Sequence, residues 1–197
     1  KLTDESGNII QLRGVSTHGI SWFPDYVNYD AFATLRDDWG ANVVRIAMYP
    51  EEYNGYLSDG DKAALRQIID NGVNYATQLG MYVIIDWHAH TMHTKEATMF
   101  FTNMAKKYGK YPNVIYEIYN EPIEDKWDSL KVYGKTIITA IRQYDPDNII
   151  LMGCPHWDQD IDIVATSPIE GVSNVMYTVH FYAATHKEYL RNKMKVA

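Results

Sequence analysis

Cysteine is almost missing from these 197 residues: Cys154 stands alone, so no internal disulfide and no cysteine zinc site can form. No apolar run approaches ~18 residues, which excludes a transmembrane helix. Positive charge is short. Lys+Arg 18 against Asp+Glu 25 leaves −7, a balance that disfavours a phosphate-binding surface and hence nucleic acid. The opening Lys1-Leu2-Thr3-Asp4 has no apolar signal core, so any export signal is expected to have been removed or never present. The sequence does have enough apolar material to fold. At 46% hydrophobic and 22% charged it is not intrinsically disordered, and its length predicts one domain at ~150 residues each.

Aromatics are abundant, with Tyr 16, Trp 5 and Phe 5. Tyr and Trp join an apolar ring to a polar tip. Composition leaves two readings open: a core that happens to use Tyr, or a groove that stacks on sugar rings.

Short apolar runs alternate with longer amphipathic stretches. Strands are predicted at 11–15, 42–48, 82–86, 114–119, 149–152 and 175–180, rich in Val, Ile and Tyr. Helices are predicted at 29–39, 59–79, 95–108, 125–144, 158–165 and 185–195, with Asp59 before the second and Gly80 closing it. Strands alternating with helices mean a parallel α/β architecture. No glycine-rich phosphate loop follows the first strand. Polar and aromatic residues gather instead after the strand ends: His18 and Trp22, Arg45 and Tyr49, His88, Asn120 and Glu121, Trp157, His180 and Tyr182. That pattern points to a (β/α)8 TIM barrel. Six units are counted where the barrel has eight, so the chain is expected to be a partial catalytic barrel over 1–197, with strands seven and eight outside it.

Val114-Ile115-Tyr116-Glu117-Ile118-Tyr119-Asn120-Glu121-Pro122 is the most informative stretch, because Pro122 cannot continue a ladder and Glu121 therefore sits at the barrel mouth. A carboxyl walled by aromatics there is expected to have a raised pKa, as a general acid needs. The plainer reading is a helix cap. Glu117 lies about 13 Å deeper at ~3.3 Å per residue and is expected to partner a barrel cation, with Asp86 doing similar internal work.

Asn120-Glu121-Pro122 after a tyrosine-rich fourth strand resembles the acid/base motif of glycoside hydrolase family 5, the cellulase family. Leu12-Arg13-Gly14-Val15-Ser16-Thr17-His18-Gly19 with Trp22, Asn42-Val43-Val44-Arg45, Asp86-Trp87-His88 and His180-Phe181-Tyr182 resemble further motifs of that family in order. The resemblance spans essentially the whole chain, and bacterial endo-β-1,4-glucanases are the group most like it. It implies Glu121 as general acid/base and Asn120 as partner of a sugar 2-hydroxyl. Arg45 and Tyr182 would support a nucleophilic carboxylate, His88 would contact hydroxyls of the cleaved unit, and His180 would lie near the acid/base. Trp22, Tyr49 and Trp157, together with His18, would line subsites.

The resemblance further implies retaining hydrolysis of secreted-enzyme type, without cofactor, on a β-glucan polysaccharide. The family's nucleophilic Glu belongs to the seventh strand and lies outside this chain, so the isolated chain is expected to be inactive. A second polypeptide is expected to supply the remaining strands to the unpaired edges. Two alternatives stand: an inactive glucan-binding or fragment-assembly module, and a β-mannanase or related hydrolase. His88-x-His90 with His93 nearby also admits a metal reading, against which the pair follows the third strand rather than the first.

Overall fold

The computed structural model describes residues 2–4 and 6–197; Lys1, part of the opening segment read above, lies outside them. Six parallel strands form one sheet in the order β1-β2-β3-β4-β5-β6. They are β1 (Gly14–Ser16), β2 (Val43–Met48), β3 (Tyr82–Trp87), β4 (Val114–Glu117), β5 (Ile150–Met152) and β6 (Val175–Tyr177). The crossovers carry α1 (Tyr29–Asp37), α2 (Lys62–Gln78), α3 (Thr94–Tyr108), α4 (Trp127–Arg142), the single turn α5 (Pro155–Asp158) and α6 (Ile161–Thr166); α7 (Glu188–Val196) follows β6. Sequential parallel order with a helix over each crossover is the arrangement of successive units of a (β/α)8 barrel.

The helices form where the apolar period says they should. On α2, Leu65, Ile69, Gly72, Val73 and Ala76 are buried, one stripe against the sheet. Gly72 lets that helix approach β2, since a Cβ there would run into the Ile46 side chain. Gly80 ends it with φ +67°, a left-handed turn that suits glycine. The N-cap is Asp61, not Asp59: Asp61 accepts from the N–H groups of Ala63 (2.8 Å) and Ala64 (3.1 Å), while Asp59 accepts from Asn54 N–H (2.7 Å).

Regular strands stop short of the predicted bounds on the side that matters. β4 ends at Glu117 rather than 119, and β6 at Tyr177 rather than 180. The chain keeps strand-like pairing beyond those points. Ile118 N–H donates to Leu151 O (2.9 Å), and Asn120 and Glu121 N–H donate to Trp87 and Ala89 O (3.2 Å each). These bonds hold Asn120 and Glu121 at the carboxyl end of the sheet after the ladder itself has diverged. Of the predicted helix 158–165 only α6 is regular; Asp158 instead ends the turn α5, in which His156, Trp157 and Asp158 take φ values of 53°, 53° and 60°.

Candidate active site

Register places three charges in the barrel interior. Asp86 lies opposite Glu117 across β3 and β4, and Arg45 on β2 reaches both. Arg45 Nε donates to Glu117 Oε2 (2.6 Å) and Nη2 to Glu117 Oε1 (3.0 Å), a bidentate pair, with Nη2 also 2.9 Å from Asp86 Oδ2. Although burial opposes its charge, Asp86 and Glu117 hold the Arg45 guanidinium above its ordinary range. Burial, with Asp86 beside it, pushes the Glu117 carboxyl up. Glu117 is thus the buried partner of a barrel cation, as its depth suggested.

Two groups at the mouth are set by this cluster. Arg45 Nη2 donates to Asn120 Oδ1 (2.7 Å), and Asn120 Nδ2 is buried with no partner among the described residues. Asp86 Oδ2 lies 2.6 Å from His88 Nδ1, a carboxylate partner that favours the proton on Nδ1 and leaves Nε2 as the ring's acceptor. His88 stacks on Tyr49 (centroids 4.0 Å apart). His90 and His93 do not converge with His88. His93 Nε2 meets Glu51 Oε1 at 2.7 Å, and His90 Nδ1 lies 4.0 Å from Glu121 Oε2.

Glu121 is half-buried and bonded to His180, with Nδ1 to Oε1 at 2.7 Å. The expectation of a raised carboxyl is corrected here. The His180 hydrogen bond outweighs burial and holds Glu121 below its ordinary value. Burial pulls His180 down, but Glu121 and Asp158 together keep it above its ordinary value. The resemblance placed His180 near Glu121, but the 2.7 Å bond that reverses the effect of burial joins residues 59 positions apart and is a product of the fold. Both shifts favour the fold. The lowered Glu121 contributes stability that is complete above about pH 4.5 and lost on acidification; the raised His180 contributes stability that is complete below about pH 6.5 and lost as pH rises. The unfolding free-energy difference between wild type and His180→Ala should therefore peak between these values and shrink toward about pH 3 and pH 9. A difference that does not vary with pH contradicts the pairing.

A cleft of about 870 Å³ opens over these groups, lined by Arg45, Tyr49, His88, Asn120, Glu121, Trp157, His180 and Tyr182 among others. Eight of the ten residues singled out in the sequence therefore meet at one place. The other two stand outside its lining. Trp22 packs on Tyr49 (4.7 Å) with its Nε1 donating to Tyr53 O (2.8 Å). His18 lies 5.5 Å from Trp22 and accepts from Gly19 N–H. Tyr182, 79% exposed, stands at the rim. His90, Gln159 and His186 also line the cleft, and only His90 had been weighed before, as a metal ligand.

Trp157 reaches the cleft through a strained backbone. Left-handed conformation costs a non-glycine residue roughly 1–2 kcal/mol, and here three stand in a row. Trp157 N–H donates to Pro122 O (2.9 Å), Cys154 N–H to Asp158 Oδ1 (2.7 Å), and His156 pairs with Asp160. The first of these bonds ties the loop after β5 to the loop after β4, and the other two brace the β5 loop internally.

The geometry finds its counterpart in known proteins. The family model for cellulase (glycosyl hydrolase family 5) matches residues 3–195. An endoglucanase of Clostridium saccharobutylicum is 46% identical over 100% of this chain and 45% of its own length, and endoglucanase A of Butyrivibrio fibrisolvens is 44% identical over 100% and 47%. The chain thus spans about half the length of these curated relatives. Among solved structures, one from Cytophaga hutchinsonii superposes with a TM-score of 0.92 at 43% identity, covering 98% of this chain and 63% of that one. The catalytic domain of Thermobifida fusca endoglucanase Cel5A gives 0.90 at 36%, covering 98% and 66%. Six parallel strands with alternating helices, so matched, are units of that family's (β/α)8 barrel. The chain belongs to the cellulase family, glycosyl hydrolase family 5.

Proposed function

We propose that these residues form the acid/base side of the active site of a secreted, retaining endo-β-1,4-glucanase. The observation that carries this is the Asn120–Glu121 pair at the carboxyl end of β4: a carboxyl bonded to an imidazole, beside a buried amide donor with no partner among the described residues. Glu121 would protonate the leaving oxygen and then deprotonate the attacking water. Asn120 Nδ2, with its oxygen pinned by Arg45, would donate to the sugar 2-hydroxyl, a bond that strengthens in the oxocarbenium-like transition state. His88 Nε2 would accept from a hydroxyl of the cleaved unit. Tyr49 and Trp157 offer ring faces for neighbouring glucoses, with Trp22 and His18 extending that aromatic wall. The related Thermobifida fusca enzyme has been solved in complex with cellotetraose, which supports a β-glucan as occupant.

The nucleophilic carboxylate would come from outside these 197 residues, with the strands that complete the barrel, whether in a separate polypeptide or elsewhere in the same protein. On that reading the 197 residues alone bind glucan without cleaving it. A carboxylate about 5–5.5 Å away would also raise the Glu121 pKa, giving the completed barrel the protonated acid that His180 suppresses here. The test is proton NMR of cellohexaose cleavage by the chain joined to the segment completing its barrel. Release of the β-anomer first supports retention, and release of the α-anomer first refutes it. Binding without cleavage in that complete form would favour a glucan-binding module instead. Trp157→Ala should weaken cellotetraose binding to the chain roughly tenfold by calorimetry, since about 1.4 kcal/mol of stacking corresponds to that factor.

A further inference from the structure

On the reading of the cleft as a glucan site, we propose that Asp160 is a positioning residue that closes the left-handed turn before it and so holds Trp157 toward the cleft. Asp160 is buried and does not itself line the cleft. Its place in the sequence is inside the helix predicted at 158–165, yet it stands between α5 and α6.

An aspartate directly before a helix ordinarily accepts N–H groups of its first turn. Asp160 precedes α6 and makes no such bond. Its two oxygens are used elsewhere. Oδ2 accepts from His156 Nδ1, and Oδ1 accepts from Lys193 Nζ on α7. The first contact spans the turn, since His156 and Asp160 stand four positions apart with Trp157 between them. The second comes from 33 positions further on. One helical turn before Lys193, the Tyr189 hydroxyl donates to Gln159 Oε1 (2.9 Å), so α7 grips two consecutive residues of the β5 loop. Although burial opposes its charge, Lys193 and His156 hold the Asp160 carboxyl below its ordinary value. It is therefore ionised at neutral pH, and both donors meet a carboxylate, which makes the stronger kind of hydrogen bond.

The turn needs holding from both ends. Non-glycine residues persist in the left-handed region only where their surroundings over-determine them. After Trp157 the hold is firm, because the Asp158 carboxyl accepts Cys154 N–H (2.7 Å) and the Thr178 hydroxyl. At Trp157 itself one backbone bond reaches Pro122 O (2.9 Å). Before it stands His156, whose side chain is 65% exposed and, among the described residues, hydrogen-bonds only to Asp160. Without that partner His156 can leave the left-handed region and take the Trp157 indole away from the cleft. The Asp160 N–H to Pro155 O bond (3.2 Å) does not involve the side chain, so removing the carboxylate tests the carboxylate alone. Because that side chain caps nothing, its loss does not unwind α6.

The test is Asp160→Ala in the 197-residue chain, read by cellotetraose calorimetry and by the nitrogen-15 heteronuclear NOE of the Trp157 indole N–H. In the variant the NOE should fall, and affinity should weaken roughly threefold to tenfold, no more than Trp157→Ala itself costs. In a Trp157→Ala background, Asp160→Ala should cost no further affinity, since it acts through that ring. A purely structural role would lower the melting temperature and leave the indole and the affinity unchanged where both proteins are folded. That result, or an equal loss of affinity in both backgrounds, overturns the proposal. Lys193→Met removes one of the two partners and should move the same readouts in the same direction by less. If Asp160→Ala does not fold, a loosened Trp157 indole in Lys193→Met supports the proposal and an unchanged one overturns it. Absence of cellotetraose binding by the wild type would defeat the glucan reading, while the indole NOE would still decide the role of Asp160.

Discussion

Replacing Glu121 by Gln in the barrel-complete protein should lower hydrolysis of unactivated β-glucan at least about 100-fold, because general acid assistance is worth that much or more. Gln keeps the shape and can still meet His180, so binding of cello-oligosaccharides should change little. The loss should be in kcat, as expected for an interaction made in the transition state. Aryl cellobiosides with good leaving groups need no proton in the first step, so their glycosylation should be nearly spared. Deglycosylation would then limit turnover and produce a burst. Activity on carboxymethylcellulose within a few fold of wild type removes Glu121 from the reaction.

Arg45→Met should be the most damaging substitution for the fold itself. It leaves Glu117 and Asp86, both almost fully buried, without the cation they share. Breaking a buried pair by removing one partner costs about 3–5 kcal/mol. In a chain of this size that lowers the melting temperature by roughly 6–20 °C at pH 7. The sign with pH follows from Glu117, whose carboxyl is already raised above 4.5 by burial. Losing Arg45 raises it further, so the penalty appears above the unfolded value and grows with pH. It should nearly vanish by about pH 3, where the Glu117 carboxyl is protonated in both states. Adding Glu117→Gln to Arg45→Met should recover part of the loss at pH 7. Equal melting temperatures for wild type and Arg45→Met at pH 7 would contradict the cluster.

Most of this arrangement could be read from the chain, because the signals were local and periodic. Runs such as Val83-Ile84-Ile85 marked parallel strands, the amphipathic stretches marked helices, and Pro122 marked where β4 must stop. Residues just past strand ends then fell on one face, which is why Glu121, Asn120, His88 and His180 could be grouped before their contacts were known; Arg45 lies inside β2, not after it, and reaches the same cluster from the barrel interior. The misses came from what is not periodic. Asp59 and Asp61 are equally good caps in sequence, and only the path of the 54–60 turn decides between them. The left-handed run at His156–Asp158 has no glycine to announce it, so Asp158 passed as an ordinary helix start. Glu121 was expected to be a raised acid from its aromatic surroundings; His180 was placed nearby, but the direct bond that lowers the carboxyl is set by the fold and not by any local pattern.

The most direct measurement is the product formed by Glu121→Ala in the barrel-complete protein when sodium azide is added to an aryl cellobioside. If Glu121 is the acid/base of a retaining enzyme, azide should attack the trapped glycosyl-enzyme without needing a base. Turnover should then rise with azide concentration and yield β-cellobiosyl azide. A rate that azide does not change, or an α-configured azide, would contradict the assignment.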